Sequence, residues 1–293
     1  MSHAAASSGG SSGAAGSPAS DGGAGGAFSR GGSGGATAGR GGARANGGSG
    51  GARANAGAGA GGAPAQLDST SDLDCDKAFI EAGKCNPQIQ FANDAADGAG
   101  AMFDKVIPDP IAAMKAITCQ VCTILYRDPS EVTRQPSAIR LHIYDFDGVA
   151  NAGGGNINFS SRHIANYKEP KDALFEFVGV LIHETTHLYQ FDAGGGGLVE
   201  GMADFVRIRA GHHRMNRRVK GGAWTDPYTT SGFFFSWLAG PGGLQADGRA
   251  KADPDIGWAI NQAMRGSSFD MQVFMKRLDK DVDTLWQEYQ DAL

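Results

Sequence analysis

The chain has 293 residues, with 26 Lys and Arg against 31 Asp and Glu, and a formal net charge of −5. That mild acidity argues against a general nucleic-acid binder, which would be basic, and the longest apolar run beside its chemistry, "FVGVLI", is far too short to span a membrane. The N-terminus, "MSHAAASSGG", has neither a charged n-region nor an apolar h-region, so no signal peptide is visible; either the protein stays inside the cell or the sequence begins after a cleavage site.

Residues 1–66 are Gly, Ala and Ser with scattered Arg and Asn, and Phe28 is the one large apolar side chain between Met1 and Leu67. Such a segment cannot bury enough surface to offset its ordering entropy, so we expect a disordered tail or linker. It would serve either as a tether or as an end without a partner. The composition changes at "QLDSTSDLDCDKAFIEAGK", and residues 67–293 have the size of one enzyme domain. A helix is predicted over 109–126, starting after Asp109-Pro110 and ending before "RDPS". "AIRLHIYDF", 138–146, alternates as a strand, with Ile139, Leu141, Ile143 and Phe146 near one face. "DGVANAGGG" reads as turn chemistry, and "NINFS", 156–160, as a second strand. Helices are predicted over 171–191 and 198–210, and again in "SFDMQVFMKRL" and "DVDTLWQEYQDAL". Strands followed by helices give an α+β class.

Four cysteines, Cys75, Cys85, Cys119 and Cys122, cluster in one region. The even count suits two disulfides in an oxidising compartment. Free buried thiols, a redox CxxC and a four-cysteine metal site are the alternatives, and the wide spacing of the first pair weakens the last. Cysteines three apart in a helix cannot easily bridge each other. We therefore expect Cys75 and Cys85 to pair with Cys119 and Cys122.

"LIHETTHLYQ" follows the apolar run "ALFEFVGVLI". Its HExxH places His183 and His187 four apart on one helical face, where they can grip one metal ion. Glu184 flanks that face and can take a proton from a water at the metal. Buried imidazoles are costly unless paired, and a metal would be their partner; carbonyl-bonded core histidines are the bland alternative. A catalytic zinc needs a third protein ligand. The longer pattern HExxHxxGxxH is absent, since Gln190 and Ala193 stand at its positions. The apolar helix "GGLVEGMADFVRIRAG" offers Glu200 and Asp204, four apart on one face, one able to ligate and the other to accept a histidine N–H. They could equally be two solvated carboxylates. His212 and His213, in the basic "AGHHRMNRRVK", read as a solvated surface, and Asp145 and Asp147 in "DFDG" read as a hairpin turn, since a calcium loop would need more ligands.

HETTH with "GLVEGMADFVRIRAG", preceded by "DGVANAGGGNINFSSRHI" and followed by "YTTSGFFFSWL" and "DTLWQEY", resembles the basic secretory protein family, metallopeptidases of plants and bacteria. The likeness runs from about residue 90 to the C-terminus and leaves out the Gly-rich tail; the acidic balance of this chain departs from the family's label. The resemblance implies a zincin-like domain with a small sheet and an HExxH helix, related to the gluzincins. It implies one Zn2+ per chain on His183, His187 and Glu200, with Asp204 orienting a histidine, and secretion or a cell-surface location. It also points to Tyr228 as the partner of the oxyanion, against a simple packing role, and to an edge strand around "GNINFS" that pairs with extended substrate. We expect a monomer that hydrolyses peptide or protein substrates, without nucleic acid and without a transmembrane segment. A non-catalytic zinc-containing binding protein tethered by the tail, and a zinc hydrolase of non-protein substrates, are the rival readings.

Overall fold

The computed structural model describes residues 73–193, 195–240 and 252–293; the predicted tail lies outside them. The described chain is α+β. Its sheet has four strands, β1 (Gln88–Asn93), β2 (Ala138–Tyr144), β3 (Ala150–Gly153) and β4 (Asn156–Ser160), in the order β1-β2-β4-β3. β1, β2 and β4 run parallel, and β3 is antiparallel to β4.

Helix α1 (Lys77–Glu81) precedes β1, and α2 (Ala101–Val106) and α3 (Pro110–Leu125) form the crossover from β1 to β2. α3 starts where the sequence predicts: Pro110 fits the first turn, which has no hydrogen bond to lose, and the Asp109 carboxylate accepts the Ala112 N–H at 2.9 Å. α4 (Ser161–Ile164) leads into α5 (Pro170–Tyr189), and α6 (Gly196–Arg209), α7 (Thr229–Ala239), α8 (Ile256–Ala263), α9 (Gln272–Leu278) and α10 (Val282–Asp291) follow. Ile139, Leu141 and Ile143 of β2 and Ile157 and Phe159 of β4 are buried on one face of the sheet. Phe103 of α2, Phe159 of β4 and Phe177 of α5 pack ring on ring at 5.5–6.0 Å, joining three elements in one aromatic contact.

Several expectations change. β2 stops at Tyr144, and Phe146 lies beyond it, half-buried, its carbonyl accepting the Ser160 hydroxyl at 2.6 Å. The "NINFS" strand is interior; the edge strand beside it is β3, within the stretch read as a turn, and β1 forms the opposite edge. The true hairpin turn is Gly154-Gly155, with φ of +56° and +81°, the two left-handed residues that a two-residue hairpin of matching twist requires. "DFDG" is therefore not a hairpin turn. It links β2 to β3, which do not pair, and Arg162 holds both Asp145 and Asp147.

Two disulfides, Cys75–Cys119 and Cys85–Cys122, tie the N-terminal segment to α3, with Cα–Cα separations of 5.3 and 6.4 Å. Each should contribute about 2–4 kcal/mol through the loop it closes. Non-reducing peptide mapping of protein made under oxidising conditions should recover these two pairs; a Cys119–Cys122 bridge or four free thiols would refute them. No helix among the described residues is long and apolar enough to cross a membrane.

Candidate active site

α5 supplies the first half of the site. Its apolar residues bury it on nearly all sides, and Gly179 lets α6 close in: a Cβ there would collide with the Arg207 side chain and the His212 carbonyl. His183 and His187 point from α5 toward α6, where Glu200 meets them. The three ligand atoms form a near-equilateral triangle: His183 Nε2 lies 3.2 Å from His187 Nε2 and 3.1 Å from Glu200 Oε2, and His187 Nε2 lies 3.4 Å from Glu200 Oε2. A four-coordinate ion with bonds of about 2.0–2.1 Å has ligand–ligand edges of about 3.3–3.4 Å, so the donors fit one ion. This buried His/His/Glu group could hold a metal ion.

The outer atoms are held as well. His183 Nδ1 lies 2.8 Å from Asp204 Oδ1, and Asp204 is buried. Burial alone would lower the His183 pKa, but the hydrogen bonds with Asp204 and Glu200 outweigh it and raise it to about 10. Burial likewise opposes ionisation of Glu200, and the two histidines bring its pKa down to about 2. The pocket is thus built to stabilise positive charge beside these carboxylates, whether a proton or a cation carries it. Gln190 is a contributor that the sequence analysis passes over as a mismatch to the longer zinc pattern. Its Nε2–H donates to the Val199 carbonyl at 3.0 Å, and the same nitrogen lies 2.9 Å from His187 Nδ1. The signal in the sequence is its spacing, three residues after His187 and so on the same side of the helix.

Glu184 is buried beside the two histidines, and among the described residues nothing hydrogen-bonds its carboxylate. Burial raises its pKa, against the opposing pull of His183 and His187. Tyr228 caps the start of α7, its ring stacked on that of His183 at 6.1 Å. Its backbone is left-handed, φ +59°, a costly conformation for a tyrosine and of a kind that clusters at functional sites. Burial, then the charges of Glu200, Glu184 and Asp204, push its phenol up to about 12. It therefore keeps its O–H at neutral pH.

α7 reaches this position because small residues let it approach α6. A Cβ on Gly201 would overlap Ser231, and one on Gly232 would lie 2.8 Å from Asp204 Cβ. His212 and His213 are not a solvated surface. His212 is 2 % exposed, and the His213 side chain sits edge-on to Phe233 at 5.0 Å, its Nε2 3.7 Å from Asp204 Oδ2. Behind them Arg207 donates to Glu176 at 2.8 Å, tying α6 to α5.

His183, Glu184, His187, Glu200, Asp204 and Tyr228 all line one cleft of about 1440 Å³, bounded by β3 on one side and by α6 and the segment leading to α7 on the other. Residues 86–289 match the family model described as a peptidase of plants and bacteria. The chain belongs to that peptidase family. No curated protein and no solved structure matches it. The matched residues of the peptidase include the HExxH helix, the Glu200–Asp204 helix, Tyr228 and the edge strand. Its two disulfides fit an oxidising compartment such as the extracellular space.

Proposed function

We propose that the protein is a secreted zinc peptidase with a zincin-like domain over residues 67–293, and that residues 1–66 are a tail outside it. His183, His187 and Glu200 would hold one zinc ion, which suits two imidazoles and a carboxylate in tetrahedral array. The observation that carries this reading is the 3.1–3.4 Å triangle of ligand atoms beside a buried glutamate. When bound, zinc supplies Lewis-acid polarisation of the scissile carbonyl.

The side chains divide the rest of the work. Glu184 takes the proton of the attacking water and passes it to the leaving amine. Asp204 accepts the Nδ1–H of His183, which fixes the tautomer that offers Nε2 inward. Tyr228 donates its O–H to the developing oxyanion. The edge strand β3 pairs with extended substrate through its main chain, which gives affinity with little side-chain choice.

Metal analysis should find one zinc per chain. Removing it with a chelator should abolish cleavage of a peptide library, and zinc should restore it; cleavage that survives complete metal removal would sink the reading. Tyr228→Phe should lower kcat by about 10- to 100-fold with a smaller change in KM. Equal losses in both, or none, would return Tyr228 to a packing role.

A further inference from the structure

The cleft ends on exposed residues in both directions, with the metal group between them. Where α5 finishes, it is lined by Gln135, Gly153, Gly154, Asp192, Gly195 and Gly196, all exposed. Arg134 pairs with Asp192 at 2.8 Å, which brings the segment before β2 to this end. The β3–β4 hairpin is here too, since a Cβ on Gly155 would meet the Ala138 carbonyl oxygen at 2.7 Å. Toward the start of α5, Arg214 pairs with Asp172 at 2.8 Å. There the lining runs out on Asn216 and Val219, both exposed. His183, Glu184 and Asp204, between the two ends, are buried.

An enzyme that trims chain ends needs a charge of its own to hold the terminal ammonium or carboxylate. Among the described residues, the carboxylates that line this cleft are engaged: Glu176 with Arg207, Asp192 with Arg134, Asp204 with His183 and Glu200 with both histidines. Glu184, the remaining one, is the buried proposed base. None is left over for a terminal ammonium. Arg207, the arginine on the helix that carries Glu200, is likewise held by Glu176. The mouth at the end of α5 is also kept clear. Gly153 and Gly196 lie outside the left-handed region, and a Cβ on either would meet nothing within 4 Å. Neither backbone nor packing requires glycine at these two places. What their bare backbone leaves is an unobstructed mouth between β3 and the start of α6.

We propose, resting on the peptidase reading above, that the protein is an endopeptidase: an unbroken chain lies through the cleft from one mouth to the other, passes between Gly153 and Gly196, and is cut at an internal bond. The cut adds one water across that bond, hydroxyl to the acyl carbon and proton to the nitrogen. α5 has 20 residues, so the cleft beside it runs about 30 Å, which an extended chain covers with about nine residues. The metal histidines sit on the last two turns of α5. That places the scissile bond about three residues from the glycine mouth and about six from the other. The substrate class is any segment that can extend over this length, such as a loop or linker, and free ends are not required.

The test uses the full chain, zinc-loaded, on one unstructured sequence of about 20 residues, long enough for about nine to lie extended. The sequence is made in three forms: linear with free ends, linear with acetyl and amide ends, and closed head to tail. All three should be cut, and the ring should open to a single linear product heavier by one water. Blocking the ends should change kcat/KM by less than about twofold. Gly153→Phe and Gly196→Phe, made singly, should narrow the glycine mouth. In each, the ratio of kcat/KM for a peptide running well past that mouth to one ending a residue after the cut should fall by about tenfold. A ratio taken within one variant cancels any general loss of folded enzyme. Binding of the ring to Glu184→Gln reads passage through the cleft without turnover. Ring binding with no cleavage of any form by the wild type would uphold the passage and overturn the peptidase reading. Residues released only from free ends, with the blocked and closed forms intact, would uphold the peptidase reading and overturn the proposal. Ratios unmoved in both glycine variants would overturn the assigned mouth.

Discussion

Glu184→Gln should retain about one zinc per chain while turnover falls by about 10²- to 10⁴-fold. The substitution keeps the shape of the side chain, so the buried position beside His183 and His187 stays filled. It leaves His183, His187 and Glu200 untouched, and with them the triangle that would hold the metal. What it removes is a carboxylate with no described hydrogen-bond partner, placed where a water's proton could reach it. Metal content and kcat measured on one preparation check this. Loss of the metal would mean that Glu184 is a ligand; full activity would mean that the proposed chemistry is wrong. A wild type that binds peptides and cleaves none would favour a metal-containing binding protein.

The second large effect separates Glu200 from Asp204. Glu200→Ala removes one corner of the ligand triangle, so tight zinc binding should be abolished. Asp204→Asn removes only the acceptor for His183 Nδ1, 2.8 Å away, and a loss of about 10- to 100-fold in zinc affinity is the expected size for such a partner. Zinc dissociation constants measured against a competing chelator at one pH decide the order. If Asp204→Asn is the more damaging, ligand and supporter are reversed; if neither variant changes affinity, the third ligand lies elsewhere.

The parts legible in the sequence were those written in local spacing. HExxH reports its own geometry because four residues make about one turn, and Glu200 and Asp204 share a face for the same reason. The α3 boundary could be read from Asp109-Pro110, since the cap and the proline act within one turn. What was not legible depends on distant partners. β3 is "ANAG", with no alternation of large apolar side chains, and only its pairing with β4 makes it a strand. The edge could not be assigned because strand order is a property of the whole sheet. His213 sits in a run of basic residues and looks solvated, yet Phe233 and Asp204 enclose it from two other helices. The left-handed backbone of Tyr228 carries no local signal such as a glycine.

A peptidase lives among copies of itself, and its own chain is within reach of their clefts. The overlapping disulfides bear on that hazard. One bridge spans residues 75 to 119 and the other spans 85 to 122. A single cut anywhere between Cys75 and Cys122 therefore leaves the two pieces covalently joined. The stretch so protected includes β1, the exposed turn before α2 and most of α3. A nicked molecule keeps both fragments at high effective concentration and can hold its fold. Self-cleavage there would show on a reducing gel and stay invisible on a non-reducing one.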